Sequence, residues 1–244
     1  MPKTVSAPAA RRTRSTAPAP KAPARARVRR AEPADDMELQ SLLPPDKPRV
    51  ASARQMDIYR QASRLFVSKG YDATSMSDIA KAVNITKAGL YHFVKGKEDL
   101  LFTIKTFGMD ELFDEVVYPA REEADPLARL KLIIRNHLQN IARVSSKQGN
   151  PVTIVADDPT GLSPKFQKII DARKREYFNL VRGTLEELRA RGDVADELDL
   201  TIATHNIIGM ILWMARWRKP KGRLSVDDII DQITRMALTG VMAR

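Results

Sequence analysis

Cysteine is absent from all 244 residues. That excludes disulfides, zinc-thiolate centres and a thiol nucleophile, and it fits a reducing compartment. Aromatic residues are scarce at 6%, and the chain has only three histidines, so imidazole-based metal or acid-base chemistry has few candidates. No apolar run approaches the ~20 residues a membrane span needs, the longest being Ile207 to Met214. The front of the chain also lacks the apolar core of a secretory signal. A soluble cytoplasmic protein with no membrane partner is expected. G-x-S-x-G, Walker, dinucleotide and zinc motifs are missing too, which weighs against an enzyme. Acidic residues are missing from the first stretch: nine basic residues and no acidic one precede Ala31, so only +2 of the formal +11 belongs to everything after it.

Residues 1–50 are rich in Ala, Pro and Arg and hold almost no large apolar side chain before Met37. Such a segment cannot bury enough surface to offset its ordering entropy, so it is expected to be a disordered basic tail. It would attract DNA phosphates non-specifically, or it is a solubilising extension or a misplaced start.

After residue 50 the texture becomes helical, with no alternation of the kind strands require, so the fold is expected to be all-α. A first helix is expected at about 51–69, with Ile58, Ala62, Leu65 and Phe66 on one face and Gly70 as its stop. Ser75 and Asp78 form a capping box for a short second helix carrying Met76, Ile79, Ala80 and Val83. Asn84, tolerant of left-handed geometry, makes a tight break. A third helix starts at Thr86, whose hydroxyl can cap it, and is expected to continue through Phe93. A fourth has Glu98 and Asp99 in its first turn. Two short helices joined by a tight turn are the layout of a helix-turn-helix. The remainder predicts five or six longer helices. Asp125-Pro126 opens one, Gly192 closes a long one that begins near Pro164, and Asp199 and the Ser225/Asp228 capping box open the last two.

A helix that reads DNA must let its backbone approach closely and offer donors to phosphates and base edges. Within Thr86-Lys87-Ala88-Gly89-Leu90-Tyr91-His92-Phe93, Ala88 and Gly89 keep the outer face low, and Leu90 and Phe93 are expected to point into the core. Thr86, Lys87, Tyr91 and His92 remain for the duplex, and Lys97 can reach a flanking phosphate. Tyr91 and His92 could instead merely pack the subdomain.

The stretches Thr74 to Ala80, Ile85 to Phe93 and Lys97 to Leu101 together resemble the TetR/AcrR family signature. The chain departs from that pattern at Asn84, where glycine is common, and at Val94-Lys95-Gly96. The resemblance covers about residues 51–105. It implies a homodimer of helical subunits that binds a palindromic double-stranded DNA operator and releases it when a small ligand enters the body. It makes Thr86, Lys87, Gly89 and Tyr91 base or sugar-phosphate contacts, with Ser75, His92 and Lys97 as phosphate clamps. The expected organisation is a tail at 1–50, a three-helix DNA-binding subdomain with a helix-turn-helix at 51–105, and a helical ligand-binding and dimerisation bundle at 106–244.

The segment Arg216 to Ser225 is similar to the corresponding part of TetR-type regulators that answer acyl-CoA thioesters. Such a ligand needs an apolar tunnel and cations for its phosphates. Trp213, Met214 and Trp217 stand beside Arg216, Arg218, Lys219, Lys221 and Arg223, making Trp213, Arg216 and Trp217 candidate ligand residues. The alternative is that the cations complement a helix dipole while the aromatics pack a core or dimer seam. Arg173 shares an apolar stripe with Phe166, Ile169, Ile170 and Tyr177. Arg173 and Tyr177 are therefore candidates for an acyl-CoA or fatty-acid effector, although Arg173 could equally pair with Glu176 or a carboxylate across the bundle.

His137 and His205 fall on apolar faces without carboxylates at metal-ligand spacing and are expected to be core histidines, so no metal or cofactor is expected. Asp157-Asp158 looks like turn chemistry. The last two helices, with small Gly209, Ala237 and Gly240, are the expected dimer seam. The leading reading is a ligand-responsive DNA-binding regulator, most simply a repressor. A helical enzyme and a ligand-independent DNA-binding accessory factor are the alternatives.

Overall fold

The computed structural model describes residues 52–145, 161–219 and 222–243. The basic tail, most of the proline-rich stretch with Asp157-Asp158, and Lys221 lie outside them. Among the described residues the fold is all-helical, and the one β pairing is an isolated bridge between Val194 and Met242.

Four helices form the front. Helix α1, Ala53–Lys69, begins at a capping box the sequence reading passed over, in which Ser52 and Gln55 exchange hydrogen bonds. It ends where Gly70 takes φ 87°. Helix α2, Met76–Ala82, starts at the expected Ser75/Asp78 box. Helix α3, Lys87–Tyr91, starts at Thr86, and α4 is Lys97–Leu112. Ile58, Ile79, Leu90, Leu100, Leu101 and Ile104 are fully buried where these helices meet. Each contributes about 1.5–3 kcal/mol by leaving water.

Asn84 adopts φ 54°, among the described residues the one non-glycine in the left-handed region, and this reverses the chain between α2 and α3. A β-carbon in that region costs roughly 1–2 kcal/mol unless a short polar side chain compensates. Asn84→Ala is therefore expected to destabilise by about 1 kcal/mol while Asn84→Gly is neutral or better. Chemical denaturation compares them, and an alanine variant as stable as the glycine variant would contradict this account of the turn.

The third helix is shorter than expected. After Tyr91 the backbone tightens, with His92 N–H donating to Gly89 C=O and Phe93 N–H to Leu90 C=O. These i→i+3 bonds rotate the following residues relative to an α-helix. Phe93 is consequently 39% exposed, and Val94, 4% exposed, fills the core position assigned to it.

Helix α4 leads without a break into a π-helical turn, Phe113–Val117, and then α5, Tyr118–Glu122. A wider turn shifts the phase of a helix, and here Phe113, Val116 and Val117 are all buried. Helix α6, Pro126–Ser145, is the centre of the second core, with Leu130, Ile133, Ile134, Leu138 and Ile141 fully buried. As expected, Asp125 caps it, accepting from Ala128 N–H at 2.9 Å.

Around α6 pack α7, Pro164–Ala190, α8, Leu200–Trp217, and α9, Val226–Val241. Asp199 caps α8 by accepting from Thr201 and Ile202 N–H, and Ser225/Asp228 form the expected box at α9. Ala243 N–H donates to Asp193 C=O at 2.8 Å, which clips the end of α9 to the turn after α7.

The start of α7 is fastened to the front helices. The Ser163 N–H donates to Glu98 at 2.6 Å, and the rings of Phe166 and Phe102 stack at 4.1 Å. Leu162 joins the front core, and Gly161 lies so close to Tyr71 that a β-carbon would sit 2.6 Å from its ring.

Candidate functional site

Two sites emerge, one on α3 and one between α4, α6, α7 and α8. On α3, the Thr86 hydroxyl accepts from Gly89 N–H at 3.0 Å, which fixes the first turn. A methyl at position 89 would lie 3.2 Å from that same oxygen. Glycine thus keeps both the outer surface low and the cap intact. Leu90 is fully buried and anchors the helix from below, while Tyr91 is 44% exposed. Thr86, Lys87 and His92 are exposed as well, and Gly89 is half-buried. The structure therefore brings Thr86, Lys87, Gly89, Tyr91 and His92 together on one short, capped, outward segment.

Ser75 and Lys97 are more constrained. The Ser75 hydroxyl donates to the Asp78 carboxylate at 2.7 Å and accepts from Asp78 N–H at 3.1 Å. The Ser75 backbone N–H also donates to that carboxylate at 2.9 Å, and this bond, followed by the one from the hydroxyl, holds the Asp78 carboxyl below its usual pKa. The Lys97 ammonium donates to Tyr71 C=O at 2.9 Å and Asp72 C=O at 3.3 Å, and sits 4.2 Å over the Tyr71 ring. An ammonium has three donors, so one N–H is left for a further acceptor beside α3.

The second site is a cavity of about 490 Å³, walled by Met109 and Leu112 of α4, His137 of α6, Lys174, Tyr177 and Phe178 of α7, and His205, Ile208 and Leu212 of α8, with Gly108 and Arg175 completing it. That volume lies within the range of small-molecule sites, and an apolar wall with few polar groups is their usual composition.

Inside, His137 Nδ1 lies 2.9 Å from the Tyr177 hydroxyl. Burial pushes His137 down to about 3, so its imidazole is neutral, and the same burial raises the Tyr177 phenol. Lys174 is half-buried and Arg175 exposed. Among the described residues this helix forms ion pairs through Arg173 with Asp110, Glu176 with Arg121, Arg182 with Glu186 and Glu187 with Arg129.

Of the five body residues singled out in the sequence, Tyr177 stands in the cavity wall. Arg173 is buried against Asp110, with its guanidinium 4.2 Å over the Phe113 ring, so the carboxylate across the bundle is its partner. Trp213 is 63% exposed and lines a separate groove with Met210, Met236, Gly209 and Gly240. Arg216 and Trp217 are exposed at the end of α8, outside the cavity wall.

The expectation for His205 needs correcting, because it is exposed, with its ring 4.7 Å from Phe178. His137 is a core residue, but among the described residues only one of its ring nitrogens has a partner. Lys174 and Phe178 were missed; Lys174, three residues before Tyr177, shares its face, whereas Phe178, the next residue, is turned about 100° from it.

Residues 58–104 match the model for bacterial regulatory proteins of the tetR family, and residues 123–241 match that for the tetracyclin repressor-like C-terminal domain. The chain is 26% identical over 200 residues to the HTH-type transcriptional repressor KstR2 of Mycolicibacterium smegmatis (strain ATCC 700084 / mc(2)155), covering 81% of this chain and 95% of that one. It is 24% identical over 158 residues to the fatty acid metabolism regulator protein of Bacillus subtilis (strain 168), covering 65% and 79%. Among solved structures, AibR in complex with isovaleryl coenzyme A and operator DNA superposes with a TM-score of 0.67 at 33% identity, covering 75% of this chain and 97% of that one. The chain belongs to the TetR family of bacterial regulatory proteins.

Proposed function

We propose that this chain is a cytoplasmic transcriptional repressor, not an enzyme, that binds a palindromic operator as a homodimer and is released by a small amphiphilic effector of the acyl-CoA class. Residues 51–105 are its reading head and residues 106–244 its sensing and dimerisation body. Thr86, Lys87, Gly89 and Tyr91 meet base edges and sugar-phosphate, while His92, the free N–H of Lys97 and, after its hydroxyl turns from Asp78, Ser75 hold phosphates. A second copy covers the exposed apolar face of α8 and α9, where Ile202, Trp213 and Met236 are 59%, 63% and 65% exposed.

The observation that carries this reading is the joint presence of a capped, outward-facing α3 and an apolar cavity with Lys174 and Arg175 in its wall. An acyl group fits such a wall, and cations at the margin match the phosphates of coenzyme A. The relative named for fatty acid metabolism and the AibR complex with isovaleryl coenzyme A support the same class. A ligand-independent accessory factor would have no use for such a cavity.

A ligand present at 100 times its Kd adds about 2.7 kcal/mol to the folded state, a rise of roughly 5–10 °C for a domain of this size. Isovaleryl-CoA and longer acyl-CoAs are expected to raise the melting temperature by that order and to release operator DNA in a gel shift, and free CoA to do neither. DNA binding that persists unchanged at millimolar concentrations of every acyl-CoA would sink the effector assignment.

A further inference from the structure

The cavity wall holds a buried polar atom that no described residue satisfies. His137 is 2% exposed, and its Nε2 has no hydrogen-bond partner among the described residues. Its Nδ1 lies 2.9 Å from the Tyr177 hydroxyl, and both residues line the cavity.

That contact sets the tautomer. A neutral imidazole carries one N–H, and burial keeps His137 neutral and the Tyr177 phenol protonated. Were Nδ1 to donate to the phenolic oxygen, the phenol proton and the Nε2 lone pair would both lack partners. With the phenol donating to Nδ1, only the Nε2–H is left over. Unmet buried polar groups are costly, so the second arrangement wins. Of the other side chains in the wall, Leu112, Phe178, Ile208 and Leu212 offer no acceptor, Met109 offers only a weak one in its thioether, Lys174 and Arg175 are donors themselves, and His205 is exposed with its ring against Phe178. No described residue accepts from the Nε2–H, which leaves that bond to a ligand in the cavity.

We propose that the effector presents a neutral carbonyl oxygen to the Nε2–H of His137, so that the cavity selects an acyl thioester over a free fatty acid or a plain alkyl chain. This rests on the acyl-CoA reading above and deepens it. A carboxylate is disfavoured because a neutral imidazole offers no counter-charge to an anion leaving water. A hydrocarbon lacking the oxygen leaves the donor unmet. Tyr177 is a positioning residue, acting through the tautomer it imposes.

The test compares isovaleryl-CoA with its S-isopentyl thioether, which lacks only the carbonyl oxygen, by calorimetric titration of the wild type, His137→Leu and Tyr177→Phe. The wild type is expected to bind the thioester about tenfold more tightly than the thioether, in keeping with one buried hydrogen bond. His137→Leu should bring the ratio close to one, and Tyr177→Phe should lower it by freeing the tautomer. Because the readout is a ratio within each protein, a general loss of stability in a variant does not imitate it. A wild-type ratio of one, or a tenfold ratio that survives in His137→Leu, would overturn the carbonyl contact alone. A wild type that binds neither compound would overturn the acyl-CoA reading as well.

Discussion

Tyr91→Ala is expected to weaken operator binding by about tenfold or more, the result of losing roughly 1–3 kcal/mol of contact at one reading residue. The melting temperature should hardly move, because Tyr91 is 44% exposed while Leu90 beside it carries the packing at 0%. Tyr91→Phe separates the hydroxyl from the ring. A loss nearly as large as that of the alanine variant would assign the effect to a bond from the phenol to the duplex, and a small loss would assign it to ring contact with sugar or base. Lys87→Ala, on the exposed first turn of α3, should also lower the salt dependence of binding by about one counterion. Fluorescence anisotropy with upstream DNA at two salt concentrations measures all three. Unchanged affinity in both Tyr91→Ala and Lys87→Ala would mean that α3 is not the reading helix.

The helix starts and the turn after α2 were legible because their signals are local. The capping boxes at Ser75 and Ser225, the Thr86 and Asp199 caps, and the left-handed Asn84 each depend on a few neighbouring residues, and each is where the sequence placed it. Phe93 was misplaced because helical phase was extended past Tyr91, where i→i+3 bonds take over. No residue pattern marks the π-helical turn Phe113–Val117, since a one-residue phase shift inside a continuous helix leaves the composition unaltered.

The cavity was less legible for a different reason. Its wall draws on four helices, and which face of each turns inward is set by packing. Proximity in sequence misled at the end of α8, where Trp213, Arg216 and Trp217 are neighbours in the chain yet lie outside the wall. Tyr177 was found because its apolar stripe on α7 is a true periodic signal; Lys174 lies three residues before it on the same face, while Phe178 follows four residues after Lys174 on the adjoining one.

Removing either partner of the Asp110–Arg173 pair should be among the most damaging single changes to the fold. The two side chains are 18% and 10% exposed, and the guanidinium also lies 4.2 Å over the Phe113 ring. Asp110→Ala would strand a buried cation, which typically costs about 3–5 kcal/mol, whereas replacing both partners with apolar residues is often close to neutral. The melting temperature should therefore fall by roughly 10 °C in Asp110→Ala and in Arg173→Ala, and recover most of that in Asp110→Leu/Arg173→Leu.

The pair also joins α4, which starts at Lys97 beside the reading helix, to the α7 turn that carries Lys174, Tyr177 and Phe178. The double leucine variant should consequently bind isovaleryl-CoA yet release operator less completely, because coupling between sites needs an element whose state both of them bias. Denaturation curves with parallel gel shifts separate the two effects. Single variants that cost less than about 1 kcal/mol, the range of exposed ion pairs, would show that this contact neither holds the bundle together nor carries the signal.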